Sequence, residues 1–292
     1  MAAPQASASR EVNRHGMRAI IVSQVLFSVS DTLVKLAAPH MPSGELIALR
    51  GIIGTSIIYG LARREGLNFV GQMHPVVALR AVMEGTITLL FLVAIKGLPI
   101  GNYTAIMLSS PLMITGLAVV VLGQRVGWHR WLAIAIGFIG VLLVAQPSAS
   151  GFSSATWFAI ACASLVAVRD IVTRFVPGDM PSMVVTLTTS LATTLMGGGL
   201  ALLQGFVAPS PGVGLLVVLA ALAISAANLS LITGSRKADI GAIGPLRYVG
   251  MPLALLSGWL IWRNIPNFAA MIGIVLIVGS GLYALHRERL RA

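Results

Sequence analysis

Apolar runs of about 18 to 24 residues recur along the chain, each closed by a short polar stretch. That spacing predicts helices long enough to cross a bilayer, which takes roughly 20 residues. Ten runs are present, at about 17–37, 44–62, 75–95, 99–122, 128–146, 153–176, 182–205, 211–234, 239–262 and 266–286. The period-2 alternation of a membrane β-barrel is absent. The runs fill most of the chain and leave no linker long enough for a soluble domain. The expected fold is all-α, an integral membrane protein of ten transmembrane helices. Residues 1–16, rich in Ala and Ser with scattered charges, read as a disordered N-terminal tail, and 287–292 as a basic C-terminal tail. The first run is too long for a signal peptide, carries Asp31 and Lys35 and lacks a cleavage site, so it reads as retained.

Composition agrees: 57% of residues are hydrophobic, 10% are charged and the mean hydropathy is +0.90. The single cysteine, Cys162, falls inside the sixth run, so no disulfide framework is expected. A net charge of +11 raises the question of a nucleic-acid partner, and the placement of the bases answers it. Of the twenty Lys and Arg residues, thirteen fall on the side of the membrane that holds both termini, three (Lys35, Lys96 and Arg263) on the other, and four within spans. The positive-inside rule then places both termini in the cytoplasm of a bacterial-type inner or plasma membrane, with lipid rather than nucleic acid as the partner.

The chain also repeats itself. DTLVKLAAPHMPS (31–43) and DIVTRFVPGDMPS (170–182) share acid, base and Met-Pro-Ser at an offset of 139 residues. KGLPIG (96–101) and RKADIG (236–241) match at an offset of 140, as do Gln124 and Asn264. All three pairs respect span boundaries, which points to two five-helix repeats, 17–147 and 148–286. Five is odd, so the second repeat enters the membrane from the opposite side. Inverted repeats are the architecture of secondary transporters that alternate access to a midplane site. The repeated phrase would then be a gate element, present once for each door.

With these features the chain resembles the drug/metabolite transporter superfamily, in its ten-span EamA-type branch. The resemblance rests on the 5+5 duplication, on SDTLVKL closing span 1 and on LRG (49–51). AIKGLPIGNYTAIMLSSPL (94–112), GWHRWLAIAIGFIGVLLVAQP (127–147) and GAIGPLRYVGMPLALLSGWLIW (241–262) add to it. It implies a carrier for amino acids, other small metabolites or drugs, often directed outward. Export of amino acids or related zwitterions is the leading expectation; uptake of a vitamin, nucleoside-like cofactor or organic anion, or drug efflux, is the alternative. Family members usually carry an acid after spans 4 and 9, where this chain has Gln124 and Asn264, so a role for that acid is not carried over.

Candidate chemistry lies in seven charges placed within spans: Asp31, Arg50, Arg80, Glu84, Arg169, Asp170 and Arg247. Each costs about 2.5–3.5 kcal/mol at a helix centre, so they should pair, snorkel or face water. Asp31, Lys35 and Arg50 near one face, and Arg80, Arg169, Asp170 and Arg174 near the other, are candidate gate or ion-pair residues. Glu84, one turn from Arg80 and able to pair with it, is the candidate proton carrier. A cavity drawn from spans 1, 3, 4, 6, 8 and 9 would offer Gln24, Ser28, Thr88, Asn102, Ser109, Ser110, Asn228, Arg247 and Tyr248 as polar lining. Met83, Met107, Trp157 and Met251 would supply apolar wall. Pro111, Pro245 and Pro252 should break helices at bilayer depth, Pro111 freeing the carbonyl of Met107 and Pro252 that of Tyr248.

Other classes find no support. The sequence holds no GxSxG, HExxH or phosphate loop, and its five histidines fall in tails, loops or the last turn of a span. No enzyme, cofactor or metal site is expected. The partners expected are a small-molecule substrate, the lipid bilayer and protons as a candidate coupling ion, with the protein a monomer or weak dimer.

Overall fold

The protein is described by a computed structural model covering residues 3–64, 66, 74–122, 128–146, 153–177, 179–237 and 246–289. These residues form helices and no strand. In chain order they are α1 (Ala3–Ala37), α2 (Ser43–Arg64), α3 (Pro75–Gly97), α4 (Ile100–Met107), α5 (Ser110–Leu122) and α6 (Trp128–Ala145). Then follow α7 (Ser154–Thr173), α8 (Ser182–Gln204), α9 (Pro211–Lys237), α10 (Gly250–Trp262) and α11 (Phe268–Arg289). Seven helical segments are long and apolar enough to cross a membrane, with α4 and α5 counted as one. The apolar stretches of α6, α10 and α11 are shorter. The chain is therefore an all-helical, multi-pass membrane protein.

Local sequence sets the helix starts. His74 accepts the Val76 amide at 3.3 Å ahead of Pro75, and Ser153 accepts the Thr156 amide at 3.1 Å. Pro75 and Pro211 stand at first helical positions, where a missing N–H is harmless. Two findings depart from the sequence expectations. Helix α1 reaches back to Ala3, so the segment expected as a disordered tail continues the first helix.

The fourth span is interrupted at Leu108–Ser109, just before Pro111, and this break separates α4 from α5. Pro111 sits in the first turn of α5, and the Ser109 carbonyl takes the amides of Leu112 and Met113 at 3.0 and 3.1 Å. A matching interruption, Tyr248–Val249, precedes α10, 140 residues later. There Pro252 does not free the carbonyl of Tyr248 as expected, since that oxygen accepts the Met251 amide at 3.0 Å. A proline in the first helical turn removes a donor that had no intrahelical partner to lose. Pro245 lies outside the described residues.

Packing is antiparallel. Helix α1 lies on α9, α2 on α8, α3 on α7 and α6 on α11. With α4 and α5 taken as one element, the most extensive helix contacts map onto one another when shifted by five elements. Thus α1–α9 corresponds to α3–α7, α2–α9 to α3–α8, and α5–α7 to α1–α10. Backbones touch where α6 meets α11: a Cβ on Gly273 would lie 2.6 Å from the Gly140 carbonyl oxygen. Small residues of this kind are what let membrane helices approach without a hydrophobic driving force.

The two ends of the bundle differ. At the far end, where α1 and α3 finish and α2 and α4 begin, Val34, Ala37, Leu46, Leu92, Ile95 and Ile100 form a closed apolar core. Lys35 seals it further. Its Nζ donates to the carbonyl oxygens of Ile95, at 2.8 Å, and Leu98, and lies 5.5 Å from the centre of the Trp262 ring. At the opposite, terminal end, Gly234 of α9 meets Gly16 and Ile20 of α1.

Candidate functional site

Between these ends a cavity of about 680 Å³ runs through the bundle. It stops at Ile47 and Ile100, against the far-end core, and continues to Thr173, the last residue of α7, and Thr186, near the start of α8. All seven charges placed within spans line it, four arginines and three acids. Charged groups in a bilayer should turn to one another or to water, and here a single chamber gathers them.

The charges fall into two groups. Asp31 and Arg50, on α1 and α2, lie within electrostatic reach of each other but form no close ion pair. The others cluster nearer the terminal end. Arg169 of α7 binds Glu84 of α3 at 2.5 Å and its neighbour Asp170 at 2.6 Å. Arg247 approaches Asp170 at 4.0 Å. Arg80 does not take Glu84 along its own helix, as the i, i+4 spacing had suggested. Its Nε and Nη1 donate instead to Thr173 Oγ1 at 3.0 Å and Thr189 Oγ1 at 2.7 Å. Glu84 has turned to the cross-helix arginine, which also holds Asp170.

Of the uncharged residues named from sequence, Gln24, Ser28, Thr88, Met107 and Asn228 line the cavity. Several others do not. Met83 is buried on the neighbouring face of α3. Ser109 and Ser110 are buried at the helix break, and Ser109 Oγ donates to the Ile106 carbonyl at 2.6 Å. Trp157 is exposed on the outer face of α7, 57% of its surface free. Met251 is core. Tyr248 is buried against α11, where its ring leaves no room for a side chain at Gly281. Asn102 faces a second, smaller cavity of about 220 Å³ with Gln146, Asn264 and Asn267. Lys35 belongs to the far-end seal, and Arg174 is exposed just beyond α7. Gln124 lies outside the described residues.

The wall that sequence reasoning missed comes from α2 and α8, which had not been counted as lining. Helix α2 contributes Ile47, Arg50, Gly51 and Gly54, and α8 contributes Thr186, Thr189, Ser190 and Thr193. The signal was available: those four hydroxyls stand at i, i+3, i+4 and i+7, one face of a helix, within TLTTSLATT. Across from them Thr55 of α2 meets Ser190 Oγ at 2.7 Å and Thr194 Oγ1 at 3.1 Å.

A multi-pass helical bundle enclosing one charged, hydroxyl-lined chamber, packed shut at one end, is a membrane carrier in form. Comparison with known proteins gives the family. Residues 14–146 match the EamA-like transporter family. The chain is 30% identical over 197 residues to a riboflavin transporter of Rhizobium johnstonii, spanning 68% of this chain and 65% of that one. It is 25% identical over 276 residues to the pseudopaline exporter CntI of Pseudomonas aeruginosa, spanning 91% and 94%. To an S-adenosylmethionine uptake transporter of Rickettsia prowazekii it is 24% identical over 278 residues, spanning 94% of each. One solved crystal structure, 21% identical, superposes with a TM-score of 0.65 over 97% of this chain and 99% of the other, a likeness of fold. The chain belongs to the EamA-type transporters of the drug/metabolite transporter superfamily.

Proposed function

We propose that the protein is a ten-span secondary transporter of zwitterionic metabolites, amino acids and larger molecules that carry an amino-acid-like head, working by alternating access between two inverted five-helix repeats, 17–147 and 148–286. The observation that carries this reading is the gathering of all seven membrane charges in one cavity sealed at one end. A chamber of about 680 Å³ is within the roughly 300–1,000 Å³ of small-molecule sites. Both signs of charge suit a zwitterion. The repeats are supported by helix breaks 140 residues apart and by the most extensive helix contacts, which correspond under a shift of five elements.

In this reading both termini are cytoplasmic, the cavity opens to the cytoplasm, and Lys35 with the far-end core forms the closed outer gate. Glu84 is the proton carrier. Its carboxylate faces the cavity and holds Arg169, so protonation would release the α3–α7 pair that the deprotonated form maintains. Export is the direction that the family resemblance favours, and the relative named as an exporter supports it. Uptake of a vitamin or nucleoside-like cofactor is the second reading, favoured by relatives named for riboflavin and S-adenosylmethionine.

Counterflow in proteoliposomes tests the proposal, with labelled amino acids, S-adenosylmethionine and riboflavin, each with and without a pH gradient. Saturable exchange of an amino acid or S-adenosylmethionine supports the zwitterion reading. Exchange of riboflavin alone favours the second reading, and silence from folded, inserted protein across the panel refutes carriage of these classes.

A further inference from the structure

We propose that Arg80, held by Thr173 and Thr189, is the receptor for an anionic group of the substrate, a carboxylate or a phosphate. The inference deepens the transport reading and rests on it for the word substrate. Its own evidence is the distribution of charge within the cavity. Asp31 and Arg50 offset each other at one end of the chamber. In the other group, three arginines meet two acids, and both acids are engaged by Arg169 at 2.5 and 2.6 Å, with Arg247 also facing Asp170. The surplus positive charge therefore falls to Arg80, which Glu84 and Asp170 reach electrostatically but whose guanidinium has no carboxylate within ion-pair distance among the described residues.

Arg80 is nevertheless held in place. Thr173 Oγ1 donates its own proton to the Arg169 carbonyl, and Thr189 Oγ1 donates to the Val185 carbonyl, both at 2.7 Å. Each hydroxyl thus turns lone pairs toward Arg80 and accepts from Nε or Nη1. A guanidinium carries five N–H donors. Two are taken by the threonines, and those of Nη2 have no acceptor among the described residues while the side chain faces the cavity. Neutral acceptors orient the group without neutralising it. A planar donor edge kept charged, fixed and facing a chamber suits a carboxylate or phosphate oxygen. Had Glu84 been the partner, as helical spacing permits, the edge would be blocked; Arg169 keeps Glu84 away.

The test is binding to detergent-purified protein, read as thermal stabilisation at graded ligand concentrations, so that it needs no transport. Three matched pairs serve as probes: leucine and leucine methyl ester, S-adenosylmethionine and its methyl ester, riboflavin 5′-phosphate and riboflavin. Wild-type protein should bind the acidic member of at least one pair more tightly, and which pair responds tells carboxylate from phosphate. Arg80→Gln should weaken that member about ten- to a hundredfold, the span expected for a lost hydrogen bond to a charged group, and weaken the partner that lacks the anionic group far less. Thr189→Val, which keeps the charge but frees the guanidinium, should reduce the preference by a smaller factor. Arg18→Gln removes an equal charge from an exposed site outside the cavity and should change nothing. No acid preference in wild type for any pair, or a preference that survives Arg80→Gln, overturns the proposal. Protein that shows the Arg80-dependent preference but exchanges none of the probes contradicts the transport reading and leaves the anion receptor standing.

Discussion

The two ends of the bundle carry the same phrase in two conditions. At the far end DTLVK places Lys35 on the carbonyls of Ile95 and Leu98, among apolar side chains with almost no exposed surface. At the terminal end DIVTR places Asp170 in the cavity and leaves Arg174 exposed beyond α7, with no ion pair among the described residues. A base that meets the carbonyl ends of a neighbouring helix gains a charge-assisted bond and satisfies acceptors the helix cannot. The same type of residue, left in water, does neither. In the alternating-access reading proposed above, the one motif marks a closed door and an open one, the asymmetry such a mechanism asks of an inverted repeat.

Breaking the charged end should have the largest effect. Arg169→Met leaves Glu84 without its ion-pair partner and Asp170 with only Arg247, 4.0 Å away, and should cost about 2–3 kcal/mol, less than the roughly 3–5 of a fully buried pair because water reaches the site. Thermal unfolding in detergent micelles would show the loss, together with abolished counterflow. Next comes the far end. Lys35→Met removes the two carbonyl contacts and should raise hydrogen exchange of the amides at 34–38 and 92–98 at least about tenfold, consistent with about 1.5–3 kcal/mol per bond to a charged donor. Arg174→Met, its counterpart in the repeat, should leave exchange at both ends within about twofold, since nothing described holds it.

Glu84→Gln sharpens the comparison by function rather than stability. It should keep counterflow of the preferred probe but lose accumulation driven by a pH gradient, as expected when one carboxyl both carries the proton and holds the arginine. Equal loss of both activities would make Glu84 a structural partner of Arg169 only. The smallest effect belongs to the hydroxyl face of α8, where Thr186→Val or Ser190→Ala should weaken binding of the preferred probe by a few fold, in line with about 0.5–1.5 kcal/mol for a neutral hydrogen bond. Equilibrium binding to purified protein is sufficient to see it.

How far these regions were legible in the sequence follows from how local each signal is. Apolar run length gave most of the helices within a few residues, because bilayer thickness sets it, but not the early start of α1, the break between α4 and α5 or the late start of α10. That each of the seven charges should pair or face water followed from the cost of charge in lipid; that one cavity collects them, rather than two separate faces, did not. Which charges pair was not legible. Helical spacing offered Arg80 to Glu84, and the choice of Arg169 depends on how α3 lies against α7, a tertiary fact. Tyr248 and Met251 sat in a polar, proline-marked segment, yet both turn inward to pack, Tyr248 against Gly281. The α8 hydroxyls were overlooked for the opposite reason. Hydroxyls such as those of Thr189 and Thr193, bonded to their own helix carbonyls, look unremarkable in an apolar run, and only the common face at i, i+3, i+4 and i+7 assigns the four to the cavity.

The most direct test of alternating access places a single cysteine at Ser28, in the cavity wall, in a chain whose buried Cys162 is replaced by alanine. A membrane-impermeant maleimide is then applied from each side of oriented vesicles. Labelling from the cytoplasmic side alone, turned toward labelling from the other side by Lys35→Met, is the result this account predicts. Labelling from both sides in the otherwise unaltered protein, as through an open pore, or from the far side alone, would contradict it.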